Sequence, residues 1–298
     1  MGITYGLEIE MGDIYLVTAA RLIFENQGLD FKTWKDRGIH LSEKVRKYDI
    51  WNITSDKTIS NHNGTRCRRV VLMPDGNMVG GRESNRIYWQ GAELISPVLK
   101  SDEMFMDFIT LEEYLQDLEI MGATIDPDLF HDLHVHVDFG VQSPRNFDRL
   151  LTFTDWVYYA QWPLIDVHLA ATSLHSPKVY YYSGDFVDDL LKCKDYEEYS
   201  YEYRRHHKLP NGERQSFQLY QYRRLICPGA VMDPTKDYNT LEWRNWPGVR
   251  STKLIRRMAE FSIASTQEFP EQEYVKSWCN ETIELIKESK RGEGSSRG

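Results

Sequence analysis

The chain has 298 residues, 41% of them hydrophobic and 13% aromatic, enough to bury a full core as one large domain or as two closely joined ones. Its formal charge of -9 argues against a general grip on nucleic-acid phosphates, although a local basic groove is still allowed, and it suits small anions neutralised by metal ions. No apolar run nears the roughly 18 residues that cross a bilayer, and the N-terminus enters Ile3 to Glu8 without a basic leader. A soluble, unprocessed, cytoplasmic protein is therefore expected. Cys67, Cys193, Cys227 and Cys279 form no C-x-x-C pair and read as reduced structural thiols.

Thr4 to Met11 reads as a strand. Asp13 then stands where a helix cap is expected, ahead of an apolar pattern (Leu16, Ala20, Ile23, Phe24) that stops at Gly28. Trp51 to Ser55 and Cys67 to Met73 read as strands, with turns at Asn61 to Gly64 and Pro74 to Asn77. Arg86 to Ile95 is a further strand, closed by Ser96-Pro97. Ser101 to about Met121 is a helix with the stripe Met104, Phe108, Leu111, Leu115, Leu118. Leu133 to Phe139 alternates apolar residues with His134, His136 and Asp138, which therefore share one face of a strand. A helix is expected from Ser143-Pro144 to Pro163, an exposed insertion or lid within about 175–215, a strand from Tyr238 to Trp246, and helices over Thr252 to Thr266 and Glu271 to Lys290. Residues 292–298 read as a disordered tail after a single domain over 1–291. The order of elements predicts an α+β fold with a mainly antiparallel sheet.

Chemistry enters through carboxylates on strands, where glutamate is depleted. Glu8 and Glu10 project to one face, Glu93 precedes Ser96-Pro97, and Glu242 stands two residues before Arg244. Like charges on one face repel unless a cation lies between them, and hard divalent ions take oxygen ligands. Each glutamate alone could simply face water, and Glu242 with Arg244 could be a cross-strand ion pair. His134-x-His136-x-Asp138 could present imidazoles and a carboxylate to one ligand, as in a metal-dependent hydrolase with His168 or His175 as a further ligand, or could be a hydrogen-bonded sheet face. The tyrosine-rich stretch near 180–203 could instead serve a non-catalytic binding protein.

The order of motifs, Tyr5-Gly6-Leu7-Glu8-Ile9-Glu10, Trp51 to Ile59, Gly91 to Pro97, Leu133 to Asp138, Tyr222-Arg223-Arg224 and Thr240 to Arg244, resembles the amidoligase family over residues 5 to 248. That family is similar to glutamine synthetase and glutamate-cysteine ligase. The resemblance implies a curved, mainly antiparallel sheet flanked by helices, holding ATP and two or three Mg2+ ions. It implies metal-binding roles for Glu8, Glu10, Glu93 and Glu242, with Glu93 also counted as catalytic. It further implies phosphate contacts for His134 or His136, Arg223 and Arg244, with Arg244 at the transferred phosphate, and an acceptor-facing or metal-facing role for Asp56. The implied reaction joins a carboxylate to an amine, in small molecules, peptides or a modified nucleobase, through an acyl phosphate. The chain departs from the family pattern at Lys57, at Ile226-Cys227 and at Trp243, where the family often has phenylalanine.

Overall fold

The computed structural model describes residues 2–29, 50–55, 59, 71–72, 78–79, 89–129, 131–139, 147–172, 179–180, 183–205, 223–224, 226–228 and 240–295. The turns at Asn61 to Gly64 and Pro74 to Asn77, the Ser143-Pro144 helix start, and Asp56, Lys57 and His175 lie outside the described residues. The fold is α+β with a mainly antiparallel sheet, as expected. Two compact units are present, Met1–Leu133 with Gly248–Ile255, and His134–Pro247 with Arg256–Gly298.

In the first unit, β1 (Thr4–Tyr15) is followed by α1 (Leu16–Asn26), β2 (Asn52–Ser55), the small hairpin β3 (Val71–Leu72) and β4 (Met78–Val79), β5 (Trp89–Ile95), β6 (Leu99–Lys100) and α2 (Met104–Ile120). β5 lies between β1 and β2, antiparallel to both, and β6 pairs with the start of β1. One face of this sheet is apolar: Leu7, Ile9, Met11, Ile53, Ala92 and Leu94 are all buried. α1 lies against these strands and buries Ala19, Ala20, Ile23 and Phe24. α2 buries its expected stripe, and its Tyr114 meets the Trp51 ring edge-on, with centroids 5.7 Å apart.

α1 stops where expected, because Gly28 takes φ +69° and the Leu29 amide returns to the Phe24 carbonyl at 2.9 Å. Its neighbour Gln27 then grips the backbone of Trp51, donating to the carbonyl at 2.9 Å and accepting from the amide at 2.8 Å. Helix end and strand start are thereby tied across a chain separation of 24 residues.

The start of α1 corrects the sequence reading. β1 runs on to Tyr15, and Asp13 is not a helix cap but sits in a bulge, at φ 55°, where the register with β5 shifts between Met11 and Ile14. Its carboxylate accepts from the Thr124 hydroxyl at 2.7 Å, beside the Gly12 to Thr124 backbone pair. An aspartate tolerates the left-handed region because its short polar side chain bonds locally, so the same residue suits a bulge as well as a cap.

β7 (Asp132–Asp138) begins in the first unit and continues into the second, which adds α3 (Phe147–Ala171), β8 (Val179–Tyr180), α4 (Gly184–Leu191), α5 (Tyr196–Arg205), β9 (Arg223–Arg224), β10 (Ile226–Pro228), β11 (Thr240–Pro247), α6 (Thr252–Glu268) and α7 (Gln272–Ser295). β11 lies between β7 and β10, while β8 and β9 form a short parallel pair. α7 takes in residues 292–295 of the stretch read as a tail.

α3 passes through Pro163, the residue expected to end it, and continues to Ala171. Proline cannot bond the carbonyl four residues back, at Tyr159. That carbonyl instead accepts from the Gln272 side chain at 3.2 Å. In the segment read as an exposed insertion or lid, α5 exposes Tyr201 but buries Tyr199, whose hydroxyl lies 2.9 Å from that of Thr154 on α3. Cys193 and Cys279 are free thiols, as expected, and burial pushes them up to about 11 and about 12.

An aromatic cluster fastens β11 to α6 and α7. Trp243 and Trp246 stack with planes 3° apart, and Phe261 and Trp278 close around Trp246. Both indole N–H groups are satisfied, Trp243 donating to the Thr266 hydroxyl at 3.1 Å and Trp246 to that of Ser262 at 2.8 Å. Trp243→Phe removes one hydrogen bond and leaves unfilled volume in this cluster, so it should cost about 1–2 kcal/mol. Urea denaturation measures this, and an unchanged midpoint with unchanged slope would mean that the indole N–H contributes nothing.

Candidate active site

The carboxylates of the first unit are arranged by strand register. Glu10 pairs with Glu93 and Glu93 with Thr54, while Glu8 pairs with Ile95 and Ile95 with Asn52. Directly opposed residues of antiparallel strands share a face, and so do residues two apart. Glu8, Glu10, Glu93, Asn52 and Thr54 therefore occupy the sheet face opposite the apolar one. Glu10 is 1% exposed and Glu93 2% exposed, which rules out the bland reading of them as solvated strand residues. One oxygen of Glu10 accepts from the Asp132 amide at 3.0 Å, which fixes the orientation of the carboxylate.

Ser96 sets this register. Its hydroxyl accepts from the Leu7 amide at 2.8 Å, and its own amide donates to the Leu7 carbonyl at 2.9 Å. The hydroxyl also donates to the Pro97 carbonyl at 2.8 Å, so the Ser-Pro step that ends β5 holds β1 in place.

Gly91 belongs to the same face as Glu93, two residues along β5. A Cβ there would fall 2.5 Å from Cβ of the fully buried Ile59 and 3.0 Å from its carbonyl oxygen. Ile59 thus covers one end of the carboxylate face by lying against bare backbone. The Asp56 reading falls three residues earlier, outside the described residues. A cavity of about 300 Å3 in this unit, lined by Met11, Leu115, Leu118 and Arg250, includes none of the candidate site residues.

The second unit assembles the other candidates around one oxygen. Glu242 Oε1 lies 3.6 Å from His134 Nδ1 and 3.9 Å from His136 Nε2, and Arg244 Nη1 pairs with the same oxygen. β7 supplies both imidazoles from alternate positions, with Val135 and Val137 buried on its other face. β11 supplies Glu242 and Arg244. The ion pair read as a cross-strand possibility forms within a single strand, between residues two apart. Asp138 is exposed at the end of β7, and within this unit it is Glu242 that brings a carboxylate beside the histidines. His168, the further ligand considered for a hydrolase, lies in α3 with Nδ1 3.3 Å from the Asn245 carbonyl. Arg223 is placed by its backbone in β9.

Asn52, Thr54 and Asp132 are polar, buried residues of these strands that pattern reading did not single out. Their signal lies in parity, because Asn52 and Thr54 alternate with Trp51 and Ile53. Parity alone does not say which face carries the glutamates. Gly91→Ala should displace Ile59 and lower stability by about 1–3 kcal/mol, the usual cost of overpacking. Thermal or urea unfolding measures this, and an unchanged midpoint would show that the Ile59 segment yields without cost.

No curated protein and no solved structure matches the chain. The family described as putative amidoligase enzyme matches residues 2–265, a span that contains every candidate residue of both units. With buried strand glutamates in the first unit and the histidine, glutamate and arginine group in the second, the chain belongs to this putative amidoligase enzyme family, a family of ligase-type enzymes that form amide bonds.

Proposed function

We propose that the protein is an ATP-dependent carboxylate-amine ligase that activates a carboxylate as an acyl phosphate and lets an amine displace the phosphate. The observation that carries this reading is the opposed, buried pair Glu10 and Glu93 with Glu8 on the same face. Opposed like charges at this depth are costly, and hard oxygen donors fit Mg2+. The donor set therefore suits the ions the family resemblance implies. Glu8, Glu10 and Glu93 of the first unit would hold such an ion, Glu242 of the second is a further metal-binding candidate, and a divalent ion would neutralise phosphate charge.

The remaining steps fall to the chain's own residues. A substrate carboxylate oxygen attacks the γ-phosphorus, and the bond to the β-γ bridging oxygen breaks, leaving ADP and an acyl phosphate. Arg244 stabilises the phosphoryl group in flight through its planar fork, with Glu242 fixing that fork in place. His134 and His136 donate to phosphate oxygens, and Arg223 adds positive charge to the same task. The amine nitrogen then attacks the acyl carbon, the carbon to phosphate-oxygen bond breaks, and Asp56 or the departing phosphate takes the proton that the nitrogen loses. Substrates of this class include amino acids, peptides and amine-bearing nucleobases, and the cytoplasm is the expected compartment. Among the described residues no helix is long and apolar enough to cross a membrane.

Calorimetry should find ATP bound far more weakly in EDTA than in Mg2+, because phosphates and buried carboxylates repel without a cation between them. Equal affinity in both, or zinc held tightly through purification, would sink the ligase reading. Arg244→Lys should lower turnover about a hundredfold, or about 3 kcal/mol, with a much smaller effect on ATP affinity. Steady-state kinetics checks this. Unchanged turnover with a raised KM for ATP would reduce Arg244 to a binding residue.

A further inference from the structure

Thr54 is the third member of the row that crosses β1, β5 and β2, directly opposite Glu93 as Glu93 is opposite Glu10. It stands between Ile53, buried on the apolar face, and Ser55, so the strand period turns its side chain to the carboxylate face. The residue is 2% exposed, and its hydroxyl makes no hydrogen bond among the described residues. A hydroxyl buried without a partner is destabilising, and valine has the same shape without that cost. Nothing in the packing therefore asks for threonine, while the row it belongs to is the one assigned to a cation. A hydroxyl beside two carboxylates can donate its proton to an oxygen that they do not themselves supply.

We propose that Thr54 is a positioning residue of the site, its hydroxyl donating to an oxygen carried by the divalent ion at Glu10 and Glu93, either a bound water or a nucleotide phosphate oxygen. This rests on the ligase reading above. Partners of this kind orient metal-bound oxygens and commonly change affinity or activity by about 10- to 100-fold when removed. The threonine methyl fixes the hydroxyl by restricting rotation about χ1, which serine does less firmly.

The test is a titration with Mn2+, reading free Mn2+ by electron paramagnetic resonance, on the intact wild-type chain and on Thr54→Val and Thr54→Ser, each alone and with a non-hydrolysable ATP analogue. Thr54→Val should weaken uptake about tenfold, while its unfolding temperature stays level or rises. Thr54→Ser should stay near wild type in both. A loss seen with Mn2+ alone identifies the oxygen as bound water, and one seen only with the analogue identifies a phosphate oxygen. Uptake by Thr54→Val equal to wild type in both arms overturns the proposal, as does a lowered unfolding temperature, which would reveal a partner inside the protein. A wild-type chain that takes up no Mn2+ in either arm overturns the ligase reading itself and this proposal with it.

Discussion

The pairing of Leu7 with Ser96 is the constraint on which the carboxylate face depends. Strand side chains alternate with a period of two, so a slip of one residue between β1 and β5 would carry Glu8 and Glu10 into the apolar layer and expel Ile9. Hydrophobic burial resists such a slip, since Leu7, Ile9 and Met11 would all leave their side of the sheet. Ser96 adds a directional lock through its amide and its hydroxyl, both on Leu7. Because proline follows, the strand cannot extend past this point, and the register is decided at the end of β5 nearest Glu8.

The same register places stability and function in opposition. Facing carboxylates at Glu10 and Glu93, both almost fully buried, are what a stable sheet avoids, and β-branched or aromatic residues would pair better there. The Asp132 amide eases the burden on Glu10 but adds no positive charge to the row. The proposed site would gain its complementary charge from what it binds, and the folded chain tolerates the cost because the opposite face buries Leu7, Ile9, Met11, Ile53, Ala92 and Leu94. Gly91 follows the same logic, giving up side-chain packing within a strand so that Ile59 can lie on the backbone.

Much of this was legible in the sequence because it rests on short-range periodicity. The strand of Glu8 and Glu10, the stop at Gly28, the α2 stripe and the face shared by His134 and His136 all follow from spacings of two or of three and four. What escaped depends on partners distant in sequence. Asp13 looks like a cap until Thr124, more than a hundred residues away, claims its carboxylate in a bulge. Pro163 looks like a helix end until Gln272 accepts the role of bonding the carbonyl that proline cannot reach. Thr54 and Asn52 join the carboxylate face only once β2 is registered against β5. Periodicity gives the face of each residue within its own strand, while register between strands decides which faces coincide.

Trp243 joins the interior of the second unit to its chemistry. On a regular strand, residues three apart point to opposite faces, yet Trp243 and Trp246 stack in parallel within one cluster. The two large rings nevertheless meet in one cluster at this end of β11. Both indoles are pinned by hydrogen bonds to α6, so this end of the strand is anchored from the buried side. Arg244 emerges at that point, 22% exposed in its side chain and paired with the less exposed Glu242. A guanidinium carries five N–H donors in a rigid plane, more than one carboxylate oxygen can accept, so Arg244 can keep Glu242 while it takes up a second anion. An ammonium at the same position would have to divide three mobile donors between the two. Arginine is thus favoured by its pairing with Glu242 as well as by the phosphate contact proposed for it, and the tryptophans anchor the strand that carries it.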